Sequence, residues 1–147
     1  MTRKMSIAIL VLALCALLLP STLIAKKLVE RPFKVKGHTT VRVNLSNGDW
    51  VSEDWGEGTH IGRFTNEGSG RTVDGVPSGS VIVTAANGDQ LFCHVGPPGT
   101  VTFTGGTGRF EGATGGFITV DGPYEITEED GTMIIKYTYT GTGTITY

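Results

Sequence analysis

Cysteine is scarce in this sequence. Only Cys15 and Cys93 occur among 147 residues, so no network of disulfides holds the chain together. Cys15 lies in an apolar segment near the N-terminus, and we expect it to leave with that segment. Cys93 then has no partner within the chain, and we expect it to be a small, buried, apolar residue.

Positive charge is not in excess either. The chain has 12 Lys and Arg and 14 Asp and Glu. Two of the basic residues, Arg3 and Lys4, lie in the N-terminal segment, so ten basic and fourteen acidic residues remain for the rest of the chain. Binding to nucleic acid or to an anionic membrane needs clustered positive charge. We therefore expect no nucleic-acid partner, and no membrane partner once the N-terminal segment is removed.

The common motifs for metals, phosphates and nucleophiles are also missing. The three histidines and two cysteines form no H-x-H, H-x-x-x-H or C-x-x-C pattern. There is no G-x-S-x-G sequence, and no glycine-rich loop opens a predicted helix. We therefore expect no metal and no cofactor, and the catalytic residues, if there are any, stay unknown at this stage.

One long apolar run is present, and it lies near the N-terminus. Arg3 and Lys4 precede an unbroken apolar stretch from Ile7 to Leu19, which Pro20 ends. This pattern is typical of a signal peptide covering residues 1–25, with cleavage after Ala25 and export to the periplasm or the cell exterior. The alternative is an uncleaved anchor, although the run is shorter than the roughly 20 residues that a membrane span needs. Residues 26–147 then form one domain.

Glycine is abundant, and all 22 glycines follow residue 25. Glycine disfavours a helix by about 1 kcal/mol relative to alanine, so this density favours strands and turns. Val41, Val43 and Leu45 alternate with polar residues, as in a half-buried strand, and Asn47-Gly48 follows as a hairpin turn with two positive φ angles. A similar pattern recurs forty residues later around Asn87-Gly88. Its origin is either convergence on the same turn residues or a duplication of this part of the chain.

Further strands are predicted along the rest of the chain. In the last of them Met133, Ile135, Tyr137 and Tyr139 share one face. About eight short antiparallel strands with frequent turns are typical of an all-β sandwich or an up-and-down β-barrel. The other predicted strands lie at residues 33–36, 60–65, 81–84, 91–93, 101–104 and 117–121.

The segment Thr102–Val120 distinguishes between these two folds. It reads TFTGGTGRFEGATGGFITV, and its glycines permit a sharp exit from one strand and a tight return while Phe110 closes the end of a barrel. The segment resembles the glycine-rich signature of plant allene oxide cyclases and dirigent proteins, and the order Phe-Glu-Gly-Ala at 110–113 is closest to the cyclases. Residues 59–64 and 85–89 are similar to exported bacterial members of unassigned function.

The resemblance implies a single antiparallel barrel of about eight strands, with an apolar cavity and a homotrimeric assembly. Its matching residues are structural positions, and no catalytic residue of the cyclases has a recognisable counterpart in this chain. The structural positions are Gly105, Gly106, Gly108, Phe110, Gly112 and Gly115.

Five residues are candidates for contact with a ligand. In an extended strand His60 would point to the same face as Phe64, and His94 to the same face as Phe92. Both pairs are therefore candidates to face a cavity. Glu111 is a candidate at the barrel mouth, although a solvated turn charge is the commoner role. Trp50 and Trp55 are five residues apart and so point to opposite faces, which predicts one tryptophan in the core and one at a rim or interface.

Two functions remain open. The first is an exported, noncatalytic barrel that binds a small apolar ligand or a protein partner. The second is a cyclase-, isomerase- or dirigent-like enzyme that acts on a small apolar substrate in the cavity. An inward, desolvated carboxylate or histidine beside an open pocket would favour the enzyme. A cavity filled by Phe64, Phe92, Phe103 and Phe110 would exclude it.

Overall fold

The computed structural model of the protein describes residues 27–147, which contain nine β-strands and no α-helix. The predicted signal peptide, residues 1–25, lies outside the described residues. The strands are β1 (Glu30–Asn44), β2 (Asp49–Gly58), β3 (Gly62–Val73), β4 (Val76–Ala85), β5 (Gln90–Gly96), β6 (Thr100–Gly106), β7 (Thr114–Asp121), β8 (Glu125–Glu129) and β9 (Thr132–Thr146).

The strands form a closed barrel. From β1 to β7 each strand pairs antiparallel with the next, β7 pairs with β9, and β9 pairs along its whole length with β1. The short strand β8 pairs with β9 at residues 132–136, beyond the part of β9 that β7 occupies. The result is an eight-stranded antiparallel barrel with one extra strand. The prediction of a barrel is therefore confirmed, and a sandwich is excluded.

One end of the barrel is closed by packed apolar side chains, and we call it the closed end. Phe110, which lies in a short 3₁₀ turn between β6 and β7, is fully buried there. Its ring packs at 5.5 Å, centroid to centroid, against that of Tyr147. The other buried residues at this end are Phe33, Ile61, Phe64, Leu91, Phe103, Ala113 and Ile145.

The glycine-rich segment builds this closed end, as its sequence predicts. Gly105, Gly108, Gly112 and Gly115 all have positive φ angles, a conformation that favours glycine. At Gly106 space is the constraint, because a Cβ would lie 2.3 Å from the backbone oxygen of Gln90. The glycines therefore let the chain double back tightly beneath the barrel and carry Phe110 into it.

The strands are longer and the turns differ from the sequence prediction. Residues 33–36 and 41–45 belong to the single strand β1 and the turn after it. Only Gly48 has a positive φ in the first hairpin, because that turn spans four residues and closes through a bond from Gly48 N to Asn44 O. The turn Asp74-Gly75 between β3 and β4 was not predicted.

Within residues 27–147 no helix is long and apolar enough to span a membrane.

Candidate functional site

The barrel encloses a cavity of about 580 Å³ between the closed end and the opposite end. Phe33, Phe64 and Phe103 form its floor. Leu45 and Tyr124 line it near the opposite end and are about half exposed, so the cavity reaches solvent there. We call this side the open end. A cavity of this size is within the range of pockets that hold small organic molecules.

The cavity has one polar wall and one apolar wall. Strands alternate their side chains, so each strand contributes every second residue to the interior. The polar inward residues of β1, β2, β3 and β9 form the polar wall, although β1 and β9 also contribute valines, Met133 and Ile135 nearer the open end. The polar residues are Thr39, Ser52, Asp54, Asn66, Tyr137 and Tyr139. Inward residues of β4 to β7 form the apolar wall: Val81, Val83, Cys93, Val95, Val101 and Phe117.

Asp54 is the centre of the polar wall. Its carboxylate accepts a hydrogen bond from the Thr39 hydroxyl on β1 and one from Asn66 Nδ2 on β3, with 2.7 Å between the latter atoms. A third comes from the hydroxyl of Tyr139 on β9. Burial raises the pKa of Asp54 above its usual value, and these three hydrogen bonds oppose the rise without cancelling it. Asp54 is therefore a desolvated carboxyl group beside an open cavity.

A glycine pair positions the tyrosine. Gly37 on β1 pairs with Gly56 on β2, and both face inward. A Cβ on Gly37 would lie 2.8 Å from the ring of Tyr139, so the ring lies flat against the bare backbone of β1. This placement brings the Tyr139 hydroxyl to Asp54. Burial is the main reason that the pKa of Tyr139 is raised, so the phenol keeps its proton.

A second carboxylate lies towards the open end. Asp121, the last residue of β7, accepts a hydrogen bond of 2.7 Å from the Tyr124 hydroxyl. The ring of Tyr124 packs on that of Tyr137, with centroids 4.9 Å apart. Burial and the negative charges of Asp121 and Asp54 raise the pKa of Tyr137. The chain of polar groups thus runs from Asp54 to the rim.

Two buried polar atoms on the polar wall have no hydrogen-bond partner among the described residues: Trp50 Nε1, a donor, and Asn66 Oδ1, an acceptor. Trp50 and Asn66 are each 7% exposed, and both line the cavity. A buried polar group without a partner costs roughly 1–3 kcal/mol. These two atoms therefore favour a bound molecule that completes their hydrogen bonds.

The cavity lining includes no Lys, Arg or His. In the part of the chain that the structure describes, no group of three or more His, Cys, Asp or Glu could hold a metal ion. Cys93 lies buried in the apolar wall, as predicted, and burial raises the pKa of its thiol to about 12. It is therefore a protonated, unreactive thiol.

The structure does not bring the five predicted ligand residues together. Phe64 lines the cavity, at its floor. His60 lies in the turn before β3, with a positive φ, and its Nε2 is 3.0 Å from the carbonyl oxygen of Pro32. Glu111 is exposed in the turn at the closed end. The remaining four candidates do not line the cavity: His60, Phe92, His94 and Glu111.

Strand β5 explains the placement of the other two candidates. Its inward residues are Leu91, Cys93 and Val95, so the side chains of Phe92 and His94 point outward. The inward orientation predicted for Phe92 and His94 is therefore wrong. Contact of any of the five with a ligand stays a prediction.

Asp54 is the site residue that the sequence prediction missed. The alternation of side chains along β2, which separates the two tryptophans, also indicates Asp54. One tryptophan is buried and one is exposed, as predicted, and the structure shows that Trp50 is the buried one, so the even-numbered residues of β2 face inward. Ser52 and Asp54 share that parity, which places a carboxylate in the barrel.

A larger concavity of about 980 Å³ is lined by residues of β1, β2, β3, β4, β7 and β9. Four of its polar or aromatic side chains already contact one another in pairs. Lys36 forms an ion pair of 2.6 Å with Glu57, and His38 stacks on Trp55 with ring centroids 4.1 Å apart. The interior cavity is the better candidate because it alone contains the buried polar atoms without partners that the structure describes.

Comparisons with known proteins give one similar fold. No family model matches the chain, and no curated protein is similar to it. Among solved structures, the chain is similar to the pterocarpan synthase dirigent protein GePTS1, with a TM-score of 0.49 and 15% sequence identity. The match covers 84% of this chain and 93% of that one.

Proposed function

We propose that the domain is exported and binds a small, mainly apolar molecule inside its barrel. The observation that carries this proposal is the cavity of about 580 Å³ with an apolar wall, a polar wall and access to solvent at one end. A barrel of eight strands has an interior wide enough for side chains or for one small ligand. In this barrel Phe33, Phe64, Phe103 and Phe110 pack at the closed end and leave the rest of the interior open.

The composition of the walls supports the proposal. The valines and Phe117 of the apolar wall offer surface that a ligand can remove from water, at roughly 25 cal/mol for each Å² buried. The polar wall offers a few fixed hydrogen-bonding groups that orient the molecule. This combination, mainly apolar with a few polar groups, is typical of small-molecule sites.

Binding of naphthalene, a bicyclic molecule without polar groups, tests the proposal by calorimetry on the purified chain. Val83→Phe places a ring in the cavity and should weaken binding by about tenfold or more, equivalent to about 1.4 kcal/mol. Ile82→Phe is the matched control, because Ile82 is the neighbouring residue on the outer face. The Ile82→Phe variant should bind naphthalene with the same affinity as the unchanged chain.

Thermal unfolding of both variants shows that each still folds. Native mass spectrometry of the chain purified from its own host would detect a small molecule that stays bound through purification. No binding of naphthalene or of its hydroxy and methoxy derivatives by the folded, unchanged chain would contradict the proposal, as would equal loss of binding in Val83→Phe and Ile82→Phe.

A second function, acid catalysis on the bound molecule, is favoured by Asp54. Its carboxyl group is desolvated beside the cavity, and its raised pKa means that it keeps its proton to a higher pH than an exposed aspartate does. Such a group can protonate an oxygen of a bound molecule, which is the first step of an acid-catalysed isomerisation or cyclisation. The interior is also not filled by phenylalanines, the arrangement that would have excluded an enzyme.

Exchange of hydrogen for deuterium in 1-tetralone, a bicyclic ketone, tests this second function. Protonation of the carbonyl oxygen by Asp54 and loss of an α-proton to water give the enol, and the return step in D₂O places deuterium on the α-carbon. Mass spectrometry should show faster exchange with the protein than without it, and Asp54→Asn should abolish the difference. Glu53→Gln, on the outer face, should not change it. Equal exchange with and without protein would rule out this function.

A further inference from the structure

We infer that the cavity selects an uncharged molecule with two separate polar groups, an acceptor for Trp50 Nε1 and a hydroxyl donor for Asn66 Oδ1. The inference rests on the proposed function and names the ligand chemistry of the same cavity. A hydroxylated, mainly apolar molecule with an ether, carbonyl or second hydroxyl group fits this description.

Trp50 presents its donor from a fixed ring. Gly70 on β3 pairs with Gly79 on β4, and a Cβ on either glycine would lie 2.5 Å from Cζ2 of the indole. The ring therefore packs on bare backbone, and no larger residue fits beneath it. Nε1 has no acceptor among the described residues. An acceptor on the ligand would relieve the cost of this buried N–H group.

Asn66 presents its acceptor with a fixed orientation. Its Nδ2 donates to Asp54 Oδ2 over 2.7 Å, and a carboxylate oxygen can only accept. The amide is therefore held with Oδ1 directed away from Asp54, and no described residue donates to it. A hydroxyl group on the ligand supplies the missing donor.

The two atoms belong to different levels of the polar wall. Asn66 pairs with Asp54, whereas Trp50 lies four residues further along β2, towards the open end. Four residues of a strand span roughly 13 Å. The ligand therefore carries its hydroxyl at the inner end and its acceptor at the end nearer the mouth.

The charges in the cavity exclude an anion. Asp54 and Asp121 both line it, and no Lys, Arg or His does. A carboxylate on the ligand would lie near like charges without a cation to pair with, and burial would remove its hydration. The bound molecule is therefore neutral.

Four probes built on the ring of naphthalene separate these requirements. 6-Methoxy-2-naphthol has both the donor and the distant acceptor, 2-naphthol lacks the acceptor, 2-methoxynaphthalene lacks the donor, and 6-methoxy-2-naphthoate is an anion. By calorimetry, 6-methoxy-2-naphthol should bind about five- to tenfold more tightly than each of the two probes that lack one group, the gain expected from one hydrogen bond to a buried partner. The anion should not bind.

Two variants assign the groups. Trp50→Phe keeps an aromatic ring and removes the N–H, so 6-methoxy-2-naphthol should bind it no better than 2-naphthol does. Asn66→Leu removes the acceptor, so the same probe should bind no better than 2-methoxynaphthalene does. Trp55→Phe, on the outer surface, is the matched control and should change nothing.

The outcomes distinguish this inference from the proposed function. If naphthalene binds as tightly as 6-methoxy-2-naphthol, or if Trp50→Phe folds and discriminates as the unchanged chain does, the inference is wrong and the binding cavity stands. Tight binding of the naphthoate also overturns it. If neither naphthalene nor any of the four probes binds, the proposed function fails with it.

Discussion

At the scale of single residues, Asp54 shows how a cavity changes an ordinary carboxyl group. Its outer neighbour Glu53 stands in solvent beside Arg42, with 3.6 Å between the charged groups, whereas Asp54 turns inward one residue later. Burial raises the pKa of Asp54 in the folded protein. At pH values between the pKa of Asp54 in the unfolded chain and its raised pKa in the folded protein, the folded protein holds this proton more tightly than the unfolded chain does. Asp54 therefore adds stability below the unfolded value of about 3.8, and this stability is lost as the pH rises to the folded value.

Asp54→Asn should accordingly stabilise the protein at neutral pH. The amide oxygen can accept from Thr39, and a rotated Asn66 amide can offer its unpartnered Oδ1 to the new Nδ2. The number of hydrogen bonds between the two residues is unchanged, and the substitution removes a buried negative charge, so we expect a gain on the order of 1 kcal/mol in the free energy of unfolding at pH 7. The gain should shrink as the pH falls through the raised pKa of Asp54 in the folded protein, because the unchanged Asp54 then takes up its proton.

Urea unfolding at a series of pH values measures this difference. Glu53→Gln is the matched control, since its carboxylate is exposed and should alter the free energy of unfolding by only a few tenths of a kcal/mol, as is usual for an exposed pair. A gain in Asp54→Asn that is constant between pH 4 and pH 8 would contradict the role of burial.

At the scale of the elements, local pattern predicted the strands with alternating apolar residues. The sequence predicts one shared face for Val41 and Val43 in β1, and another for the odd-numbered residues 133–139 in β9. The structure places all of these residues on the inside. Strand β2 was not predicted, because Glu53, Asp54 and its glycines have low strand propensity. It forms because β1 and β3 pair with it on both sides, which is a non-local cause.

The turn at the closed end gives a prediction about two of the motif glycines. Gly106→Ala should destabilise the protein by about 3 kcal/mol, the upper range for forcing an atom into packed structure. The new Cβ would meet the backbone oxygen of Gln90, which already accepts a hydrogen bond of 2.8 Å from Thr107 N. Gly112→Ala should cost only about 1 kcal/mol, because that site is open and only its φ of 73° is unfavourable for alanine.

Urea unfolding compares the two variants under identical conditions. The near-ultraviolet circular dichroism of Gly106→Ala should also change, since the displaced turn carries Phe110 away from Tyr147. Equal destabilisation by the two substitutions would contradict the prediction, because it would show that the close approach of the Gln90 oxygen does not make Gly106 necessary.

At the scale of the whole molecule, the cavity was harder to predict than the barrel. Each strand contributes only every second residue, so the two walls exist only after eight strands have closed in the right register. The alternation of side chains predicted that one of the two tryptophans lies inside, and the structure shows that it is Trp50. No local signal indicates that Gly70 and Gly79 lie beneath its ring, because these glycines come from two other strands. The barrel follows from turn chemistry, whereas the site depends on register.

The outer surface of the barrel gives a prediction about assembly. Ile118 and Val120 on β7 are 61% and 70% exposed, and their partners across the strand pair are Thr142 and Thr140 of β9. This face therefore combines apolar and uncharged side chains, the composition that favours contact between copies. We expect it to form the interface of the homotrimer that the sequence resemblance implies.

Native mass spectrometry of the purified chain should show a trimer, and Val120→Lys should convert it into a monomer, because a charge without a partner would be buried in each copy. Ile82→Lys is the matched control. Ile82 is also exposed, but it lies on β4, away from this face, so its trimer should persist. A monomeric unchanged chain would contradict the prediction of a trimer, and dissociation caused by Ile82→Lys instead of Val120→Lys would place the interface on β4.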